Sequence, residues 1–107
     1  MRRGDIIIVA PPGEFGKPRP AIVIQADLAM NGETVTFLPI TSDLEHFMKI
    51  RVPVVPDAVN GLRKPSEVMV ERIQTTSLSR IGGIVGHLDR KSMLAVESAL
   101  MVHLGLV

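Results

Sequence analysis

Cysteine is absent from the 107 residues, and with it any disulfide framework, thiolate metal site or thiol nucleophile. Tryptophan and tyrosine are missing too, and aromatics amount to 3%. Stacking on a nucleobase would fall to Phe15, Phe47 or the plane of an arginine. Charge of one sign is scarce: twelve Lys and Arg face eleven Asp and Glu, a net charge of +1. No global field draws such a chain onto a polyanion, so any anion site must come from local clustering. No apolar run reaches membrane-spanning length. Met1-Arg2-Arg3-Gly4-Asp5 has the basic start of a signal peptide, but Asp5 and the short Ile6 to Ala10 run argue against a leader. The expectation is a cytoplasmic protein with no membrane association. Gly13-Glu14-Phe15-Gly16-Lys17 has neither the length nor the following helix of a P-loop. His46, His87 and His103 share no ligand spacing, so no metal or other cofactor is expected. No nucleophile elbow marks a serine hydrolase.

What is present is apolar: 46% of the residues are hydrophobic, enough to fill a core in one domain spanning 1–107. Short apolar runs broken by turn residues predict strands at Ile6 to Val9, Ala21 to Gln25, Thr34 to Leu38 ending near Pro39, Ile50 to Val55, and Glu67 to Ile73. Asn31-Gly32 and Asn60-Gly61 are turn signals. Pro53 places its strand at a sheet edge, and Ile84-Val85, flanked by glycines, suggests a short bent strand. Asp89 reads as the N-cap of a helix of about sixteen residues carrying Met93, Val96, Leu100 and Leu104 on one stripe, with Gly105 as its stop. The stripe needs a partner, and the open face of a curved antiparallel sheet is the simplest one.

Lys17-Pro18-Arg19-Pro20 precedes the Ala21 run. Pro20 pushes Arg19 into an extended conformation, and Pro18 stiffens the approach. A guanidinium launched from stiff backbone is a planar fork suited to phosphate, and little entropy is lost when it binds. Arg2, Arg3, Lys17 and Arg19 outnumber Asp5 and Glu14 at this end of the chain; Lys49 with Arg51, and Arg63 with Lys64, form further basic pairs. The plain alternative for each is a solvated loop charge. Thr41 and Ser42, after the third strand, could simply tie a turn. Asp5 reads as structural, holding the start of the first strand.

Gly4-Asp5-Ile6-Ile7-Ile8-Val9, Arg19-Pro20-Ala21-Ile22-Val23-Ile24, Leu38-Pro39-Ile40-Thr41-Ser42, Glu67-Val68-Met69-Val70-Glu71 and the C-terminal helix together resemble the MazF/PemK/Kid toxins of bacterial toxin–antitoxin pairs, from Arg3 to Leu106. The resemblance implies a β-rich (α+β) fold, a small SH3-like β-barrel of the CcdB/MazF type with a C-terminal α-helix. It also implies a homodimer that cuts single-stranded RNA at short sequences without a metal. Arg19 matches the family's catalytic arginine and Thr41 its catalytic threonine. A guanidinium suits stabilisation of a charged phosphorane but, with a pKa above about twelve, not the role of base. For the proton acceptor the resemblance offers Glu14, in the first loop, and Glu71; His46 is chemically attractive because its pKa lies near neutrality. RNA contacts are expected from Phe15, Lys17, Ser42, His46 and Lys49.

A cognate antitoxin is the implied protein partner, laying an extended acidic or amphipathic segment over the Arg19 region. Two other readings stand beside the ribonuclease. One is a non-catalytic DNA gyrase poison of the CcdB branch, whose gyrase contact uses a Trp near the helix C-terminus, where this chain reads Met101-Val102-His103-Leu104-Gly105. The other is a catalytically inactive SH3-like binding module.

Overall fold

The computed structural model describes residues 1–10, 17–44 and 50–107. Seven strands form one mostly antiparallel sheet: β1 Asp5–Val9, β2 Arg19–Val23, β3 Thr34–Thr41, β4 Val52–Val54, β5 Ser66–Val68, β6 Gln74–Ser77 and β7 Ile81–His87, followed by the helix α1 Arg90–His103. The order is β4-β5-β3-β2-β1-β7, with β6 pairing on β3, and the sheet does not close.

The run Ile6-Ile7 is apolar at successive positions because β1 is buried on both faces. Ile6 joins Ile22, Leu38, Ile40 and Val68 in a core completed by Met93 and Val96 of α1. Ile7 points the other way, into a second core with Val9, Ala21, Val23, Val35 and Phe37. The helix thus covers one face of the sheet through Met93 and Val96, with Leu100 packed at the edge of the core, whereas Leu104, expected on the same stripe, is exposed. Its cap is as expected: the Asp89 carboxylate accepts from the Ser92 N–H at 2.6 Å, and Gly105 ends it at φ +70°.

β3 runs straight through Pro39, where the sequence suggested an end. Its first half pairs with β6 as far as Phe37 and its last residues pair with β5 from Ile40. Pro39 falls in the gap between the two partners, and its carbonyl, pointing to that side, accepts from Met69 N–H at 2.9 Å. The N–H that proline lacks would have faced this gap, so no ladder bond is lost. The expected Glu67–Ile73 strand is instead β5 followed by a 3-10 turn at Val70–Arg72. Pro53 does lie in the terminal strand, β4. Ile84 and Val85 belong to a seven-residue β7, whose pairing with β1 is interrupted by two register shifts.

Asp5 anchors the start of β1. Its Oδ2 accepts from Arg2 N–H at 2.9 Å and its Oδ1 lies 2.9 Å from His87 Nδ1. Burial pushes the Asp5 carboxyl up, but the His87 and Arg2 hydrogen bonds outweigh it and leave the carboxyl below its ordinary value. Among the described residues, no helix is long and apolar enough to cross a membrane.

Candidate active site

β2 and β3 pair antiparallel with Ala21 opposite Pro39 and Val23 opposite Phe37. Carried two residues further along both strands, this register sets Arg19 across from Thr41, both on the sheet face that α1 does not cover. Arg19, Thr41 and Pro39 line one cleft of about 370 Å³, together with Asp43, Arg51, Met69, Arg72 and Gln74. The two residues matched by resemblance are therefore neighbours, although twenty-one positions separate them in the chain.

Arg19 is exposed, and among the described residues it takes part in none of the ion pairs. Its charge is available to an anion. Thr41 is 8% exposed, and its Oγ1 accepts from Asp43 N–H at 3.0 Å. The turn-tying role is thus filled, yet it consumes only an acceptor lone pair. The hydroxyl proton is left to donate to a phosphate oxygen in the cleft.

The opposite wall is built differently. Arg51, just before β4, grips Glu71 of the 3-10 turn in a bidentate pair, Nε–Oε1 3.2 Å, Nε–Oε2 3.1 Å and Nη2–Oε2 2.8 Å. Their side chains are only 6% and 15% exposed. Arg72 approaches the same carboxylate, Nε–Oε2 3.9 Å. The hydrogen bonds from Arg51, opposed by burial, hold the Glu71 carboxyl below its ordinary value, and Glu71 in turn raises Arg51. A carboxylate so engaged is a poor proton acceptor.

Lys17 and Ser42 are exposed and line a second cleft, of about 670 Å³, that also includes Arg19. Glu71 stands behind the first cleft through Arg51 rather than on its lining. Glu14, Phe15, His46 and Lys49 lie outside the described residues. Sequence reasoning missed Asp43, Arg51, Met69, Arg72 and Gln74 as cleft residues. Arg51 was visible only as one member of a basic pair and Arg72 only as a position inside the expected Glu67–Ile73 strand; what joins Arg51 to Glu71 is the β4–β5 pairing and the turn that follows it. Among the described residues, no group of three or more His, Cys, Asp or Glu is placed to hold a metal ion.

Residues 2–104 match the family model described as PemK-like, MazF-like toxin of type II toxin-antitoxin system. The chain is 35% identical over 107 residues to "Probable endoribonuclease MazF" of Mycolicibacterium smegmatis, covering 99% of this chain and 98% of that one. It is 30% identical over 113 residues to "Endoribonuclease EndoA" of Bacillus subtilis, covering 100% and 97%. Among solved structures, "Mycobacterium tuberculosis toxin MazF-mt6" superposes with a TM-score of 0.77 at 28% identity, covering 94% of this chain and 96% of that one. A mycobacterial "Endoribonuclease in complex with its cognate antitoxin" shares the fold at a TM-score of 0.81 and 18% identity, covering 100% and 97%.

Proposed function

Because this chain belongs to the PemK-like, MazF-like toxins of type II toxin–antitoxin systems, we propose that it is a metal-independent endoribonuclease with its reaction centre at Arg19 and Thr41. The observation that carries this reading is their convergence in one cleft, Arg19 with no carboxylate partner among the described residues and Thr41 with its hydroxyl proton to give. The relatives named as endoribonucleases support it over a gyrase poison or an inert module.

In the reaction, a ribose 2′-oxygen attacks the adjacent phosphorus and the bond to the 5′-oxygen breaks. The products are a 2′,3′-cyclic phosphate and, once the leaving 5′-oxygen takes a proton from solvent, a 5′-hydroxyl. Negative charge builds on the non-bridging oxygens as the phosphorane forms. Arg19 supplies pre-organised positive charge there, and Thr41 donates to one of the same oxygens. On the same cleft the charge of Arg51 is balanced by Glu71, Glu67 and Asp43, which leaves the exposed Arg72 as the second cation open to the substrate. Glu71 is a positioning residue: it fixes the Arg51 fork in the bidentate geometry. The acceptor of the 2′-hydroxyl proton then belongs to the other expected candidates, Glu14 and His46.

The product is a cut message, and hence arrested translation and growth in the cytoplasm, released when a cognate antitoxin covers the Arg19 cleft. Exposed Ile84 on the terminal strand β7, with Met101, Val102 and Leu104 at the end of α1, supports a homodimer; light scattering at micromolar concentration checks it.

The test is a digestion of long single-stranded RNA in EDTA. Discrete fragments bearing 5′-hydroxyl ends are expected, and Arg19→Ala should slow their formation by ~10² to 10³. Absence of fragments from the wild type, or cutting by Arg19→Ala at the wild-type rate, overturns the proposal.

A further inference from the structure

The second cleft differs from the first in its charge. Four of its lining residues, Lys17, Arg19, Arg63 and Lys64, are cationic and none is acidic. Among the described residues none of these four takes part in an ion pair. For a chain whose net charge is +1, such a concentration of unpaired positive charge is local, not a reflection of composition. By contrast, the cleft beside α1 sets Arg3 and Arg90 against Asp89 and Glu97.

The loop that presents Arg63 and Lys64 is built with unusual care for a surface loop. Asn60 is 2% exposed, and its side chain alone holds three backbone groups. Oδ1 accepts from Asp57 N–H at 3.1 Å and Leu62 N–H at 3.0 Å, while Nδ2 donates to Val55 O at 2.9 Å. Asp57 Oδ1 closes the same turn on the N–H groups of Val59 and Asn60. The loop is docked on β7 through His87 N–H to Val59 O, 2.9 Å. Gly61 sits at φ +69° against Val85, whose carbonyl a Cβ would meet at 2.2 Å. Ser66 Oγ ties down Lys64 O at 2.8 Å. The backbone carrying two adjacent cations is thus fixed in advance, which lowers the ordering cost of binding an extended anion.

Arg19 is common to both clefts. Strand alternation puts Pro39 and Thr41 of the first on one sheet face and Ile8, Pro20 and Ile40 of the second on the other. Arg19 therefore stands at the rim between them. Ile8, Leu62 and Val85 give the second cleft an apolar stretch of lining against which a base can lie.

From this arrangement, and resting on the endoribonuclease reading above, we infer that the second cleft is a backbone track for the stretch of single-stranded RNA adjoining the scissile phosphate. Arg63 and Lys64 neutralise the phosphates of that stretch, with Lys17 on the opposite lip. The strand passes over Arg19 into the reaction cleft. Arg63 and Lys64 are positioning residues: they set affinity and substrate-length dependence, not the chemical step.

The experiment compares wild type, Arg63→Ala/Lys64→Ala and a charge-matched control, Arg90→Ala/Lys91→Ala, whose residues lie outside both clefts. Cleavage kinetics and binding of a mixed-sequence 2′-O-methyl RNA, which lacks the attacking hydroxyl, are measured across salt. The Arg63/Lys64 variant should raise KM at least ~10-fold with kcat within about twofold of wild type. Its log K against log salt slope should shrink by about 1.4, at ~0.7 per phosphate contact on a single strand. The control should keep the wild-type slope. A slope and KM unchanged in the Arg63/Lys64 variant overturn the track, as does an equal loss in the control, which would mean general charge. So does an Arg63/Lys64 variant that cuts and binds RNA like the wild type and loses only the capture of the cognate antitoxin in a parallel pull-down. If the wild type cuts no RNA, the endoribonuclease reading falls, and the 2′-O-methyl binding arm still decides whether the cleft holds RNA.

Discussion

Arg19 and Arg51 face the same cleft and are held in opposite ways. Arg19 leaves the start of β2 between two prolines and is exposed, with no ion pair among the described residues. Arg51 is 6% exposed and clamped by Glu71 through three contacts of 2.8 to 3.2 Å. The free guanidinium has lost none of its hydration to a partner, so its binding capacity is intact for a phosphate. The clamped one has already spent its fork on a carboxylate and its charge is balanced by Glu71, Glu67 and Asp43, so what it offers is a rigid wall. One arginine is placed by backbone stiffness, the other by a buried partner.

The largest effect that would break this contrast is on stability. Arg51→Ala leaves the largely buried Glu71 with only Arg72, 3.9 Å away, and chemical denaturation should show a loss of ~3 kcal/mol, the low end for a broken buried pair, whereas Arg19→Ala should stay within about 0.5 kcal/mol. Replacing both partners, Arg51→Met with Glu71→Leu, should recover most of that stability without restoring cleavage. Recovery of cleavage as well would mean that the pair contributes packing alone.

Thr41 tests the wall that Arg19 belongs to. Thr41→Val removes the donor, and with it the acceptor of the Asp43 N–H, while keeping the shape, and the cleavage rate should fall about 10- to 100-fold, with Thr41→Ser restoring most of it. An unchanged rate would reduce Thr41 to the turn-tying bond with Asp43.

The smallest effect lies in the acid limb. The Glu71 carboxyl is held below its ordinary 4.5, so the folded state favours its charged form. That stability is fully present above pH 4.5 and is lost as pH falls through the lowered folded value. Asp5, also lowered, adds a second loss below its ordinary 3.8. Thermal unfolding from neutral pH downward should show a wild-type Tm that drops in this window. Glu71→Gln should give a flatter limb, at a lower neutral Tm. Equal slopes would show that the Arg51 pair is not linked to folding.

Much of this was readable in the chain because it depends on neighbours in sequence. Turn residues, the proline-flanked Arg19, the Asp89 cap and the apolar runs of β1 to β3 are local signals, and each element formed close to where they pointed. β6 was not readable: Gln74–Ser77 carries no apolar run, and it becomes a strand only because β3 offers it a ladder. Pro39 misled for the converse reason, since the gap between β6 and β5 that excuses it is a property of the sheet. The family resemblance brought Arg19 and Thr41 forward, and the β2–β3 register placed them together.

The sequence by itself determined the strand-rich pattern, the helix and its cap, and the stiff mounting of Arg19, because dihedral restriction and hydrophobic alternation act over a few residues. Only the tertiary structure decided that Arg51 would be clamped to Glu71, and that Arg63 and Lys64 would share a cleft with Lys17 and Arg19. Those groups are far apart in the chain, and no local preference brings them together. Sheet pairing and the buried Asn60 turn do so, by fixing backbones whose charges would otherwise be solvated separately.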